Sequence, residues 1–131
     1  MDLGLKGKAA FVAGGSMGLG RAVALELARE GAKVAIGALD DPNLNEAANL
    51  IRRETGSEVL AIPVDVSDAR QARAVVRTAI DRFGTLDILV NNAGGPPSVD
   101  FVDIDETLWE KGFRLNLLST IMMTRAAVPV M

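Results

Sequence analysis

The sequence has 131 residues, of which 49% are hydrophobic and 24% charged, and its formal net charge is −3. This composition is typical of a globular protein with a buried core, and we expect one domain over residues 1–131. Because the chain contains no histidine and no cysteine, it lacks the usual ligands of transition metals, and we expect no metal site. Its basic residues are scattered, so we expect neither nucleic acid nor a membrane as a partner.

The compartment is predicted from what the sequence lacks. No stretch reaches transmembrane length, and residues 1–15 have no long apolar core of the kind found in signal peptides. The absence of cysteine is compatible with a reducing environment. We therefore expect a soluble protein of the cytoplasm.

Short apolar runs alternate with longer amphipathic stretches along the chain. They predict, in order, a strand at Lys8–Ala13, a helix at Gly18–Glu30, a strand at Lys33–Ile36, a helix from Pro42 to Gly56, a strand at Glu58–Val64, a helix that begins at the cap Ser67 and ends at Gly84, a strand at Leu86–Val90, and a helical region from about Asp105 onward. This alternation predicts an α/β fold, a Rossmann-type doubly wound parallel sheet. Right-handed crossovers make it a partial sheet with the strand order 3-2-1-4.

A glycine-rich loop joins the first predicted strand to the first predicted helix. Its glycines allow a tight turn and let a phosphate approach the backbone. The N–H groups and the dipole at the start of the helix attract a pyrophosphate. Because the loop lies between a buried strand and a helix, a dinucleotide site is favoured over a simple turn. The candidate cofactor-binding residues of this loop are Gly14, Ser16, Met17, Gly18, Leu19 and Gly20.

The spacing Gly14-x-x-x-Gly18-x-Gly20 resembles the cofactor loop of the short-chain dehydrogenases/reductases. Ala13 stands where that family usually has threonine, which removes one hydroxyl hydrogen bond and leaves the backbone geometry intact. Three further motifs follow in the order expected for the family, and together the four span essentially the whole chain. They are Asp65-Val66, Asn91-Asn92-Ala93-Gly94 and Asn116.

The resemblance implies a role for each of these motifs. Asp65 and Val66 would contact the adenine, Asn92 to Gly94 would lie at the ribose side, and Asn116 would support the catalytic lysine through water. Each motif also has a purely structural interpretation. Asp65 could cap the next turn, Asn91 could tie loops together, and Asn116 could be a solvated helix residue.

The end of the second predicted strand usually distinguishes NAD from NADP. Family members that prefer NAD tend to have an acid at the position of Ala38, and those that prefer NADP often have a base at Leu39 or Met17. This chain has neither, although Leu39 remains a candidate contact. Asp40 and Asp41 would repel a 2′-phosphate if they faced it, but they could equally begin the next helix, where acids suit the dipole. The cofactor is therefore expected to be NAD or NADP.

The family resemblance also implies hydride transfer to or from a small carbonyl or alcohol substrate. In that family a tyrosine is the general acid/base, a lysine four residues later lowers its pKa, and a serine polarises the carbonyl. This chain has no tyrosine, histidine or cysteine to exchange the proton. Ser119 and Thr120 do not match the serine segment of the family, and we expect ordinary helix residues there. Gly95-Pro96-Pro97 could border the substrate cleft or form a rigid turn.

The sequence supports two functional hypotheses. In the first, the chain is the cofactor-binding part of an oxidoreductase roughly twice as long, and it is inactive alone. In the second, it is a nucleotide-binding or self-associating module without turnover. Residues 115–131 are apolar on more than one face and end without a helix cap, which favours the first hypothesis and predicts cover from missing strands or from another subunit. On the family resemblance we expect a homo-oligomer that forms through the C-terminal helix.

Overall fold

The computed structural model describes residues 1–95 and 98–131, so the interpretation of Pro96 and Pro97 lies outside the described residues. One sheet of four parallel strands has the order β3-β2-β1-β4, which confirms the predicted α/β class and strand order. The strands are β1 at Ala9–Ala13, β2 at Lys33–Ala38, β3 at Val59–Pro63 and β4 at Ile88–Val90.

Helices follow each strand at the predicted places. They are α1 at Gly18–Arg29, α2 at Pro42–Thr55, α3 at Ala69–Phe83, α4 at Glu106–Phe113 and α5 at Ser119–Ala127. The helical region expected from about Asp105 onward is confirmed, and a π-helical turn at Arg114–Leu118 joins α4 to α5 within it. Short 3₁₀ turns lie at Phe101–Asp103 and Val128–Val130. Within the described ranges, none of the helices has the length and apolar character needed to cross a membrane.

The start of α2 and the C-terminal ends of α2 and α3 lie at capping residues that the sequence shows. Asp41 precedes Pro42, and its carboxylate accepts the backbone N–H of Asn43 at 2.8 Å. Both helices end at glycines in the left-handed region, Gly56 with φ of 70° and Gly84 with φ of 80°. Glycine is favoured there because a Cβ would strain this backbone conformation.

The start of α3 differs from the prediction. Asp68, and not Ser67, caps the helix, and its Oδ1 accepts the backbone N–H groups of Arg70 at 2.8 Å and Gln71 at 3.2 Å. Those bonds, the one from Gln71 first, hold the pKa of the Asp68 carboxyl below its ordinary value. Ser67 instead donates its hydroxyl to Asp65 at 2.6 Å. Adjacent short polar residues compete for the cap position, and here the competing bond to Asp65 decides which of them takes it.

The sheet separates two apolar cores. Successive residues of β1 point to opposite faces, so Phe11 enters one core and Val12 the other. The first core lies beneath α3 and α5, and the second beneath α1 and α2. A parallel strand covered on both faces is apolar throughout, which explains the uninterrupted apolar run of β1.

The C-terminal helical region is divided between core and surface. Met123 and Ala127 are buried against the first core, so part of the apolar excess in this region is core packing. A second set of apolar side chains is exposed and recurs every four residues along α4, the π-helical turn and α5. This apolar stripe consists of Trp109, Phe113, Leu117 and Ile121.

Candidate functional site

The glycine loop leaves the carboxyl end of β1 and opens α1. Gly14 has φ of 63° and Gly18 has φ of 56°, both in the region that favours glycine. No described atom lies within 4 Å of the position that a Cβ would take at Gly18. The start of α1 therefore presents its backbone to open space, and free N–H groups at such a helix start could hold a phosphate.

Asn92 fastens this loop to the end of β4. Its Nδ2 donates to the carbonyl oxygen of Ala13 at 3.1 Å. A Cβ at Gly14 would lie 2.6 Å from the carbonyl oxygen of Asn92. A Cβ at Gly20 would overlap the carbonyl oxygen of Gly14 and lie 2.8 Å from Nδ2 of Asn92. Neither Gly14 nor Gly20 has room for a side chain. Asn92 holds the loop in place, and the resemblance implies that it also lies at the ribose side.

Asp65 lies just after β3 and is exposed. Its Oδ1 accepts the backbone N–H of Ser67 at 3.0 Å and the Ser67 hydroxyl at 2.6 Å, and its own N–H donates to Oε1 of Gln71 at 3.0 Å. The structure thus shows the turn predicted by the structural interpretation. Oδ2 takes no part in these bonds, so the carboxylate keeps an oxygen that could accept a donor from a ligand. Val66 packs against the first core.

The end of β2 keeps the choice between NAD and NADP open. Leu39 follows the strand and is 62% exposed. The carboxylate of Asp41 is engaged at the start of α2, which confirms that this acid begins the helix. The positions that usually carry the distinguishing acid or base hold Ala38, Leu39 and Met17, so they do not separate the two cofactors.

One cavity of about 650 Å³ brings together Leu39, Asp65 and Asn116. Asn116 lies in the π-helical turn, and its Nδ2 donates to the carbonyl oxygen of Gly112 at 3.0 Å. Its side chain is exposed and bonded within its own helix, as the structural interpretation predicts. Among the described residues, the glycine loop and Asn92 to Gly94 are not part of this lining. We call this space the base cavity, after the adenine contact that the resemblance implies for Asp65.

The wall that α4 contributes to the base cavity was missed by sequence reasoning. Half-buried residues at positions 108, 112 and 115 recur with helical spacing, and that period is the signal that could have placed them on one inward face. The apolar residues of the lining are Leu39, Val99, Ile104, Leu108, Trp109, Phe113 and Leu115.

Other polar residues near the site have structural roles. Nδ2 of Asn91 donates to the Thr124 hydroxyl at 3.2 Å and ties the end of β4 to α5. The hydroxyls of Ser119 and Thr120 donate to carbonyl oxygens four residues earlier, which confirms them as ordinary helix residues. Across residues 1–95 and 98–131, no three acidic, histidine or cysteine side chains gather as a metal site would require.

Residues 8–131 match the family described as short chain dehydrogenase. Among the curated relatives, the uncharacterized oxidoreductase YhdF of Bacillus subtilis is 40% identical over 126 residues, which cover 95% of this chain and 44% of that protein. The chain spans about half the length of the curated relatives it matches.

Solved structures share the fold along its whole length. L-Sorbose reductase from Gluconobacter frateurii, complexed with NADPH and L-sorbose, has a TM-score of 0.94 and 35% identity, and the match covers 100% of this chain and 50% of that one. The NADH-dependent reductase A1-R', complexed with NAD, has a TM-score of 0.89 and 32% identity, with coverage of 99% and 54%. Both matches include the region that carries the four sequence motifs.

Proposed function

This chain belongs to the short-chain dehydrogenase family, and from that premise we propose that it is the cofactor-binding part of an NAD(P)-dependent oxidoreductase. The reaction is hydride transfer between the nicotinamide and a small carbonyl or alcohol substrate. The observation that carries the proposal is the glycine loop, which opens α1 toward solvent at the carboxyl edge of the sheet. Open parallel sheets bind ligands at that edge. The solved relatives complexed with NADPH and with NAD support the same cofactor class.

The proposed cofactor extends along this edge of the sheet. Its pyrophosphate lies over the backbone N–H groups between Gly14 and Gly20, where the dipole of α1 favours negative charge. Its adenine occupies the base cavity, with Leu39 against the ring and Oδ2 of Asp65 as an acceptor for the exocyclic amine. Asn92 to Gly94 lie toward the ribose and hold the loop in shape.

The residues of this chain bind and orient, and the bound nicotinamide would supply the hydride. Proton exchange with a substrate needs a general acid/base, and the sequence has no tyrosine, histidine or cysteine to provide it. Asn116 has a supporting position beside the base cavity. We therefore propose that the 131 residues bind the cofactor without turning over a substrate.

Self-association and compartment belong to the same proposal. On the apolar stripe, Leu117 is 55% exposed and Ile121 is 41% exposed, and neither lines the base cavity. Contiguous exposed apolar patches are typical of interaction sites, and a second copy of the chain is the proposed cover of this part of the stripe. The proposed location is the cytoplasm, with which a composition without cysteine is compatible.

Met17 provides a test that separates cofactor binding from folding. It is the N-cap residue of α1, and its side chain makes no cap hydrogen bond. Asp and Asn are both good N-caps, but only Asp adds a negative charge beside the proposed pyrophosphate. We expect Met17→Asp to weaken NADH or NADPH binding by about tenfold or more, and Met17→Asn to stay within about threefold of the original affinity. Titration calorimetry measures both affinities, and equal affinities of the two variants would contradict the proposal that the pyrophosphate binds at this loop.

A further inference from the structure

One face of α4 forms a wall of the base cavity, and a glycine lies at its centre. Leu108, Gly112 and Leu115 are spaced by four and three residues, which places them on the same side of the helix. All three are half-buried and line the cavity that Leu39 and Asp65 also line. The two leucines project side chains from this wall, and the position between them has none.

Among the described residues, neither packing nor backbone conformation requires glycine at position 112. Its φ is not positive, and no described atom lies within 4 Å of the position that a Cβ would take. Gly20, by contrast, is required because a Cβ there would overlap the carbonyl oxygen of Gly14. In a helix interior only proline is less favourable than glycine. The missing side chain leaves a notch between Leu108 and Leu115 that no described residue fills.

The base cavity is larger than a purine ring needs. Its volume of about 650 Å³ is in the range of pockets that enclose drug-sized ligands. Trp109 and Phe113 line it next to the notch, and such aromatic side chains pack well against apolar or aromatic groups. Asp65 supplies a carboxylate on the same lining.

We propose that Gly112 makes the base cavity permissive, so that the chain binds nicotinamide dinucleotides whose adenine carries an apolar substituent on its exocyclic amine. A singly substituted amine keeps one N–H, which Oδ2 of Asp65 can still accept. The other position of the amine carries the substituent, which the notch and the aromatic side chains receive. The inference rests on the proposed function, because it requires the base to lie in this cavity.

The test compares NAD⁺ with N⁶-benzyl-NAD⁺ by titration calorimetry on the 131-residue chain, with the 2′-phosphorylated pair used if only that form binds. We expect the original chain to bind the benzyl compound within about threefold of the parent. Gly112→Val fills the notch, so it should weaken the benzyl compound by about tenfold or more and the parent by less than about threefold. Valine is also a better helix former than glycine, so the variant should fold.

Two control variants make the result specific to the notch. Gly112→Ala adds one methyl group in open space and should leave both affinities nearly unchanged. Thr107→Val places valine at an exposed position of α4 away from the cavity and should behave like the original chain. If the original chain binds NAD⁺ but rejects the benzyl compound, or if Gly112→Val binds both equally, the inference is wrong while the proposed function stands. If neither the parent nor its 2′-phosphorylated form binds, the proposed function fails, and the inference fails with it.

Discussion

At the scale of single residues, the glycines near the site differ in whether the fold has room for a side chain at their positions. The sequence predicted the loop glycines from their spacing, but it could not identify the atoms that leave no room for a side chain at position 20. The reason is the close approach of Gly14 and of Asn92, and Asn92 is 72 residues later in the chain. Contacts of that separation depend on the assembled sheet, so a local pattern does not contain them.

Alanine substitutions at Gly20 and Gly112 should have opposite effects on stability. Gly20→Ala forces a Cβ against the carbonyl oxygen of Gly14, and we expect it to lower the free energy of unfolding by about 1–3 kcal/mol. Gly112→Ala adds its Cβ to open space within a helix, and we expect a rise of about 0.5–1 kcal/mol. Urea denaturation of both variants measures the difference, and a change of the same sign in both would contradict the packing described for α1 or α4.

At the scale of elements, the sequence predicted a short polar cap for α3, but the residue that caps the helix is one position later than predicted. The predicted cap of α3 is Ser67, and the structure has Asp68 in that place. Both residue types are good caps, so local propensity does not choose between them. Asp65 makes the choice, because its carboxylate binds the Ser67 hydroxyl and backbone N–H. The same carboxylate was a candidate adenine contact, so the helix start and the base cavity share a residue.

The cap of α3 predicts a pH dependence of stability. Backbone N–H bonds from Gln71 and Arg70 lower the pKa of the Asp68 carboxyl in the folded chain. A lowered folded-state pKa gives a stabilisation that is present above the unfolded-state pKa and is lost as the pH falls through the folded-state value. Asp68→Asn keeps a cap acceptor and removes the titration. The original chain should therefore lose more stability than Asp68→Asn between about pH 6 and about pH 3, and parallel pH profiles in thermal unfolding would exclude this role.

We expect the apolar stripe to mediate self-association, and we expect one charged substitution within it to abolish that association. Leu117 lies within the stripe and is 55% exposed, so a glutamate there would affect the proposed interface rather than the core. Sedimentation velocity should show concentration-dependent association of the original chain and a monomer for Leu117→Glu. Thr107→Glu is the control, because Thr107 is exposed on α4 but outside the stripe. A monomeric original chain, or association that survives Leu117→Glu, would remove this surface from the proposal.

At the scale of the whole molecule, the sheet was the most predictable part. Apolar runs such as that of β1 alternate with helices that end at glycines such as Gly56 and Gly84, and right-handed crossovers leave one simple strand order. The π-helical turn at Arg114–Leu118 and the base cavity were not predictable in the same way. The base cavity is lined by residues that are far apart in the chain, Leu39 after β2, Asp65 after β3 and Leu108 on α4, and this long-range arrangement has only a weak helical period as its signal.

The most direct measurement is a titration of the 131-residue chain with NADH and with NADPH. Trp109 is the only tryptophan and lines the base cavity, so its fluorescence reports on that cavity. A nucleotide-binding Rossmann half should give saturable quenching, with one nucleotide bound per chain, by at least one of the two cofactors. No saturable change with either cofactor up to about 1 mM, in a chain shown to be folded by circular dichroism, would contradict cofactor binding as the function of these residues.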